Sequence, residues 1–225
     1  MNKENKLKIK ISEKATELYL VNDRFKIKTL AKDLNLKPEN IFELFPNRNA
    51  ILDFYYKSRL LLLEDTIKKI EGYQEFTLSE KLNTVILTLL DLFQNQREYV
   101  LETYQPRVKC SLRYSDFLND LELKINQIIE SDSQVSRTSQ LLIQSLFVTL
   151  FRYHFHVIVQ VWSNDSSKSY STTMALVDKW TTLVEEIFYS AVIDKSFEFI
   201  KFIATASSLA DWITSGEPNP KESKI

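Results

Sequence analysis

The sequence predicts an all-α fold, in which an amino-terminal three-helix head is joined to a larger helical bundle. Its 225 residues include only 2 glycines and 5 prolines, whereas average usage would give roughly 16 and 11, so the chain has few residues for the turns of a sheet. Apolar residues recur at three- and four-residue spacing along most of the chain, which is the period of an amphipathic helix. The breaks between these segments are short and polar, as helix connections usually are.

The head begins with two segments of helical period. In the first, the apolar stripe consists of Leu7, Ile11, Ala15, Leu18 and Tyr19. Asn22 and Asp23 break the pattern. The second segment is short, and its apolar residues are Ile27, Leu30, Ala31 and Leu34. Asn35 follows directly, and asparagine tolerates the left-handed conformation at a helix end better than most residues do, so we predict a sharp turn there.

A third short helix is predicted to begin near Pro38. Proline lacks the N–H that would be unpaired at a first helical position, and Glu39 complements the positive end of the helix dipole. The residues predicted to face the core are Ile41, Phe42 and Phe45. This helix should stop at Pro46-Asn47, and a long fourth helix should cover about 48–70, ended by Gly72.

Six further helices are predicted in the body. They cover about residues 78–93, 98–104, 115–129, 136–162, 171–193 and 196–213. Pro106 is expected to terminate the second of them. The fourth is the most apolar, but polar residues such as Gln144, Arg152 and His156 interrupt it. A membrane span needs about 20 predominantly apolar residues, so we predict a buried helix there and no membrane span.

Head and body differ in charge. We predict a head domain over 1–47, a helical body over 48–213 with a connecting helix at 48–71, and a flexible tail over 214–225. Residues 1–60 contain 13 Lys/Arg against 8 Asp/Glu, whereas residues 61–225 contain 16 against 22. A basic head suits a polyanionic partner at one end of the molecule, although a solvated lysine-rich terminus would have the same composition.

The spacing within the head fits a helix-turn-helix, in which the second of two short helices enters the major groove of DNA. The first helix needs a small residue where the second crosses it, and Ala31 meets that need. Asn35 follows four positions later at the turn, and Ile41 is the branched apolar residue that should face inward. Residues 1–47 are therefore predicted to bind DNA. Helices in any bundle also use alanine at crossings, so simple packing remains the alternative.

Three blocks of the head resemble the amino-terminal domain of the TetR family. They are Ala15-Thr16-Glu17-Leu18-Tyr19, Ile27-Lys28-Thr29-Leu30-Ala31 and the run LKPENIFELFPNRNAI that starts at Leu36. The corresponding family patterns are A-x-E-L-F, I-A and V-S-x-G-T-L-Y-x-Y-F-x-x-K-x-x-L. The likeness covers about residues 9–56, and segments 162–165, 177–179 and 199–202 also resemble the body domain of some members.

This resemblance implies a ligand-responsive transcription repressor, a homodimer whose two heads bind half-sites of a double-stranded DNA operator. The body would bind a small apolar or aromatic effector, and the helices at 171–193 and 196–213 would form the dimer interface. The DNA-binding residues that it implies are Lys26, Lys28, Thr29, Lys37, Pro38, Glu39, Asn40, Phe42, Glu43 and Arg48. By position, Arg48 and Lys37 would approach phosphates, whereas Asn40 would bond a base edge or a phosphate.

Some positions depart from the family pattern. Phe42 lacks the hydroxyl of the usual tyrosine, Glu39 replaces a glycine, and Glu43 adds a second carboxylate. The loop at 22–26 is also shorter than usual. Glutamate can accept a hydrogen bond from cytosine, so acids do occur in recognition helices. The alternative is a TetR-fold lipid or isoprenoid carrier with a degenerate head.

No residue constellation indicates an enzyme, a metal site or a cofactor. His154 and His156 point about 200° apart on one helix, so one should face the core or a pocket and the other an interface or solvent. The 14 Phe, 10 Tyr and 3 Trp favour an apolar cavity, for which the expected lining is Tyr104, His154 and Trp162. The single cysteine, Cys110, excludes an internal disulfide, and without an export segment a cytoplasmic location is expected.

Overall fold

The computed structural model describes residues 1–110 and 115–215, except for the side chains of residues 204 and 206–215. Every regular element in these ranges is helical, which confirms the all-α prediction. The helices are α1 (Lys3–Val21), α2 (Ile27–Asp33), α3 (Pro38–Leu44), α4 (Arg48–Ile67), α5 (Leu78–Gln94), α6 (Arg97–Tyr104), α7 (Asp116–Glu130), α8 (Arg137–Asn164), α9 (Ser171–Phe188) and α10 (Ala191–Ser215). From residue 216 onward, the predicted tail lies outside the described residues.

The three helices of the head pack around a small apolar core. Its buried residues are Ile11, Ala15, Leu30, Ala31, Ile41 and Phe45. Phe42 does not join them, and the prediction that it faces the core is wrong, because its side chain is 53% exposed. Consecutive helical residues are rotated by about 100°, so Ile41 and Phe45, four positions apart, share the buried face while Phe42 turns to the surface.

Helix α4 belongs to the cores of both head and body, since it packs against α1 on one side and against α5 and α7 on the other. Its Arg59 is the largest fully buried side chain of the described ranges. The guanidinium lies 4.4 Å from the centre of the Tyr55 ring and donates a 2.8 Å hydrogen bond to Glu13 of α1. A buried guanidinium loses its hydration, and the ring face and the carboxylate compensate for that loss.

The core of the body is built from aromatic rings around α5. Its buried rings include Tyr56, Phe93, Tyr99, Tyr104, Phe117, Phe155 and Trp162. The Phe93 ring of α5 lies 5.9 Å from that of Phe117 in α7 and 6.3 Å from that of Trp162 in α8. Because α5 also contacts α4 and α9, it forms the centre of the bundle.

Helix α6 ends at Tyr104, as the sequence predicted, but Pro106 does not stop the helical path. The chain continues into a π turn over Gln105–Lys109, closed by a 2.8 Å hydrogen bond from the Cys110 N–H to the Gln105 carbonyl. The ring of Pro106 fixes φ at a helical value while removing one N–H donor. The helical path therefore persists with one bond missing, and the wider turn accommodates the loss.

Helix α8 contains a second π turn, Gln140–Gln144, and only one of its faces is buried. The buried face contains Phe151, Phe155, Ile158, Val159 and Trp162. The opposite side exposes Leu141, Leu142, Leu146, Leu150 and Tyr153, so the prediction of a buried helix is wrong for this face. By length and composition α8 would qualify to cross a membrane, but core helices of soluble proteins pass the same test.

The last two helices meet at Tyr189 and Ser190, whereas the sequence predicted a break between residues 193 and 196. The Tyr189 hydroxyl donates to Asp132 at 3.1 Å and accepts a 3.3 Å hydrogen bond from the Leu78 N–H. These bonds join residues that are 57 and 111 positions apart. Tertiary contacts thus fix the end of α9 at a place where the local sequence has no strong stop.

A hydrogen-bonded loop at residues 165–170 fixes the start of α9. Both carboxylate oxygens of Asp165 accept hydrogen bonds of 2.6–2.9 Å from the backbone and hydroxyl groups of Ser167 and Thr173. These donors, chiefly the two hydroxyls, hold the pKa of the Asp165 carboxyl well below its usual range. The loop then closes through two left-handed residues, Ser169 and Tyr170.

We predict that Glu13→Ala lowers the free energy of unfolding by about 2–3 kcal/mol, because it removes the carboxylate partner of the buried Arg59 guanidinium and leaves, among the described residues, only the Ser58 hydroxyl to accept from it. The matched control is Glu17→Ala, one turn further along α1. Glu17 pairs with Lys14 at 2.8 Å, but its side chain is 51% exposed, and such pairs contribute about 1 kcal/mol or less. Urea unfolding followed by circular dichroism measures both variants, and equal losses would contradict this role of the buried pair.

Candidate nucleic-acid interface and effector cavity

The turn between α2 and α3 has the geometry that a helix-turn-helix needs. Asn35 is left-handed, with a φ of 56°. The N–H groups of Asn35 and Leu36 donate to the carbonyls of Lys32 and Ala31 at 3.1 and 2.9 Å, which satisfies the end of α2 and reverses the chain. The side chains of Ala31 and Ile41 are both buried, so each occupies the inward position that its residue type suggested.

Helix α3 begins at Pro38 and is capped by Asn40. The Oδ1 of Asn40 accepts a 3.3 Å hydrogen bond from the Lys37 N–H. This bond engages the carbonyl of the Asn40 side chain and leaves its NH₂ group to donate. On a DNA surface such a donor suits a phosphate oxygen or the acceptors O6 and N7 of purines.

The residues predicted to contact DNA lie at three neighbouring helix starts. Lys26, Lys28 and Thr29 are exposed where α2 begins, and Lys37 is exposed just before α3. Arg48, in the first turn of α4, is half-buried, and its guanidinium lies 5.7 Å from the centre of the Phe25 ring. Pro38 is also half-buried, whereas the outer face of α3 exposes Glu39, Asn40, Phe42 and Glu43.

The two glutamates of α3 present their charge at the same surface. Among the residues that the structure describes, neither Glu39 nor Glu43 has an ion-pair partner. A carboxylate repels a phosphate, but it accepts a hydrogen bond from the amino group of cytosine. The head therefore combines basic side chains at its edges with acidic side chains on the helix that would enter the groove.

A cavity of about 270 Å³ lies between α6, with its π turn, and α8. Its lining residues are Val100, Leu101, Tyr104, Gln105, Lys109, His156, Val159, Gln160, Trp162, Ser163 and Asn164. Tyr104 and Trp162, two of the three residues predicted to line an effector site, are thus brought together. The third, His154, is not, and His156 takes its place.

The Tyr104 and His156 side chains form one hydrogen-bonded unit at this cavity, with the phenol oxygen 2.7 Å from Nδ1 of the imidazole. Burial raises the pKa of the Tyr104 hydroxyl well above its ordinary value, so this group stays protonated. Burial, assisted by the charges of Lys109 and Arg152, lowers the pKa of His156 below 6.5. A neutral imidazole that accepts this bond at Nδ1 carries its own hydrogen on Nε2.

His154 lies on another face of α8, where its ring is 5.9 Å from that of Trp180 in α9. Burial lowers its pKa too, and its Nδ1 is buried without a hydrogen-bond partner in the described part of the chain. The 200° separation of the two histidines predicted that only one would face a pocket. The sequence held no signal to show which one, because that depends on the rotation of α8 against α6.

Helix α6 also connects the cavity to α4. The Tyr99 hydroxyl donates to the Leu52 carbonyl at 3.0 Å, and the hydroxyls of Thr103 and Tyr56 are 2.8 Å apart. Arg107, in the π turn, donates a 2.6 Å hydrogen bond to Asp53. These three links run from the element that lines the cavity to the helix whose first turn carries Arg48. Sequence reasoning did not find them, because none of their partners share a local motif.

Comparison with known protein families gives a match for the body of the molecule. Residues 81–203 match the family model described as the tetracyclin repressor-like, C-terminal domain. The match starts in α5, ends in α10 and includes every residue that lines the cavity. No curated protein matches the chain.

We predict that Asn35→Ala lowers the free energy of unfolding by about 1 kcal/mol, because the alanine Cβ is strained at a positive φ. Asn35→Gly should leave stability unchanged or raise it slightly, since glycine adopts this conformation without steric cost. Thermal and urea unfolding of both variants measure the difference. A less stable glycine variant would contradict the left-handed turn.

Proposed function

This chain belongs to the TetR family of transcription regulators, and from that membership we propose that it is a ligand-responsive repressor. The observation that carries the proposal is the helix-turn-helix geometry of α2 and α3, with exposed basic side chains around α3. In a homodimer, two such heads would bind half-sites separated by about 34 Å in successive major grooves. Occupation of the operator would block transcription of the regulated gene.

In this proposal the basic residues position the head and α3 selects the sequence. Lys26, Lys28, Lys37 and Arg48 contact phosphates, which supplies the salt-dependent part of the affinity. Thr29 donates to the backbone in the same way. On α3, the free NH₂ group of Asn40 and the carboxylates of the two glutamates face base edges, and Phe42 packs against the groove. The glutamates disfavour DNA sites in which no cytosine amino group donates a hydrogen bond to them.

The effector would bind between α6 and α8. We infer that it stabilises one position of α6, and that the links from Tyr99, Thr103 and Arg107 to α4 carry this position to the head. The bound effector then favours dimers whose α3 helices no longer match the half-site spacing, so the affinity for DNA falls. The size of this effect equals the difference in effector affinity between the two conformations.

The homodimer is proposed to form through α9 and α10. Helix α9 exposes Met174, Leu183 and Ile187, and α10 exposes Val192, Phe199, Ile200, Phe202 and Ile203. The apolar face of α8 adjoins these helices, since Phe147 of α8 stacks on Trp180 of α9 at 5.9 Å. Soluble monomers rarely expose apolar patches beyond roughly 300–600 Å², so a second copy of the chain is the expected cover.

The proposed protein is a cytoplasmic regulator and not an enzyme. Members of the family act as regulators, and the matched domain is described as repressor-like. The alternative of a lipid or isoprenoid carrier is not favoured by that match. Native mass spectrometry of the purified protein would reveal a co-purified lipid if the carrier hypothesis were right.

We predict that Arg48→Ala and Lys37→Ala each weaken binding to DNA from upstream of the protein's own gene. Each lost phosphate contact should reduce the slope of log K against log salt concentration by about 1. Fluorescence anisotropy with a labelled fragment, repeated across a salt series, measures both the affinity and the slope. Glu43→Gln should have the opposite effect on affinity, because it removes a negative charge from the interface.

The control for these variants is Lys69→Ala, which removes an exposed lysine just after α4, at the end away from Arg48, and should leave both the affinity and the slope unchanged. An unrelated fragment of equal length tests specificity. If the wild-type protein binds both fragments equally at low salt, the proposal of a specific operator-binding repressor is wrong.

For the dimer, we predict that Leu183→Glu and Phe202→Glu convert the protein to a monomer of 26.4 kDa, because each places a charge inside the proposed apolar interface. The matched control is Val21→Glu, at a highly exposed position of the head, and this variant should remain dimeric. Size-exclusion chromatography with light scattering gives the masses. Dimeric masses for both interface variants would place the contact elsewhere.

A further inference from the structure

The cavity between α6 and α8 is only partly apolar. Its apolar lining consists of Val100, Leu101, Val159 and Trp162. The remaining lining residues are polar, and among those that the structure describes Lys109 is the one charged side chain. The π turn at the end of α6 brings Lys109 to the cavity together with Gln105. The lining therefore has a net positive charge.

The acidic residues near this cavity are engaged elsewhere. Asp165 follows the lining residue Asn164, but both its oxygens already accept hydrogen bonds from Ser167 and Thr173. Glu102, on α6, is directed to Tyr19 of α1 and raises the pKa of that tyrosine as a secondary cause after burial. Within the described ranges Lys109 has no ion-pair partner.

A second cation lies behind the apolar lining. The guanidinium of Arg97 is 4.7 Å from the centre of the Trp162 ring and donates to the Ser163 carbonyl at 2.9 Å. One of its terminal nitrogens, Nη1, is buried with no hydrogen-bond partner in the part of the chain that the structure describes. Arg97 and Lys109 both raise the electrostatic potential at the cavity, and neither charge is cancelled there by a carboxylate.

The polar groups that face the cavity also include a donor. The Tyr104 hydroxyl lies 2.7 Å from Nδ1 of His156, and in the tautomer in which this hydroxyl donates, the remaining imidazole hydrogen lies on Nε2. That nitrogen has no partner among the described residues. The pKa of His156 is lowered by burial first and then by the nearby charges of Lys109 and Arg152.

We propose that the effector is a small carboxylate with an aromatic or aliphatic body. The carboxylate binds the Lys109 ammonium and accepts a hydrogen bond from Nε2 of His156, while the body packs on Val100, Val159 and Trp162. A volume of about 270 Å³ lies just below the range of roughly 300–1,000 Å³ of drug-sized sites, so the ligand is about the size of one substituted ring. This inference rests on the proposed effector site and adds a carboxylate to the small apolar or aromatic effector that the sequence led us to expect.

Two acid and amide pairs of equal shape test the proposal on the full-length protein: benzoate with benzamide, and hexanoate with hexanamide. Isothermal titration calorimetry should show each acid binding at least tenfold more tightly than its amide, a difference of about 1.4 kcal/mol. Lys109→Met should abolish that preference by weakening the acid alone, and Lys109→Arg should restore most of it. Lys109 is exposed, so these variants should fold, and Lys179→Met is the matched control that retains the preference.

The proposal is overturned if neither acid binds, if acids and amides bind within twofold of each other, or if Lys109→Met keeps the preference. The operator assay, run with and without benzoate, separates this result from the proposed function. If the acid preference holds but benzoate leaves DNA affinity unchanged, the carboxylate site stands and the ligand response is wrong. If DNA affinity responds to an amide as strongly as to its acid, the ligand response stands and the carboxylate site is wrong.

Discussion

The hydrogen bond between Arg59 and Glu13 is the contact on which the arrangement of head and body depends. It places a charged group at a position that is 1% exposed, and only one orientation of α1 on α4 supplies the acceptor. Apolar packing alone would tolerate small rotations of these two helices, because dispersion contacts are weakly directional. A charge-assisted bond from a buried guanidinium does not, since any rotation that loses it leaves the charge unpaired. The head is therefore held to the end of α4 in one register.

Helix α4 is also hydrogen-bonded to α6. Hydroxyl groups of α6 bond to the backbone and side chains of α4 within an otherwise apolar core, where an unmade hydrogen bond is costly. Movement of α6 and movement of α4 are then energetically linked, because separating them would strand buried polar groups. A ligand bound in the cavity beside α6 would act on α4 through this link. Because the lining is positive, the effect would depend on the charge of the ligand.

Much of the head could be predicted from the sequence because single residues there impose single backbone conformations. Asn35 sets a left-handed turn, and Pro38 starts a helix. The features that escaped prediction depend on partners far along the chain. The end of α9 is fixed by the hydrogen bond that the Tyr189 hydroxyl accepts from the N–H of Leu78. Which histidine faces the cavity depends on how α8 is rotated against α6. Phe42 was misplaced for a different reason, because it is rotated by about 100° from Ile41 around α3, and the buried face of this short helix contains Ile41 and Phe45.

The near absence of glycine has a mechanical consequence. The chain has only two, at positions 72 and 216, so neither lies in the head, in α4 or in α6. Glycine is the residue with the widest range of backbone conformations, so a segment of the chain without glycine bends less readily. In the proposed ligand response, motion between the cavity and the head would then occur as tilting of whole helices about their packed sides. In that response α6 and α4 act as rigid helices, and a displacement of α6 and its π turn reaches the first turns of α4 through the bonds to Leu52, Asp53 and Tyr56.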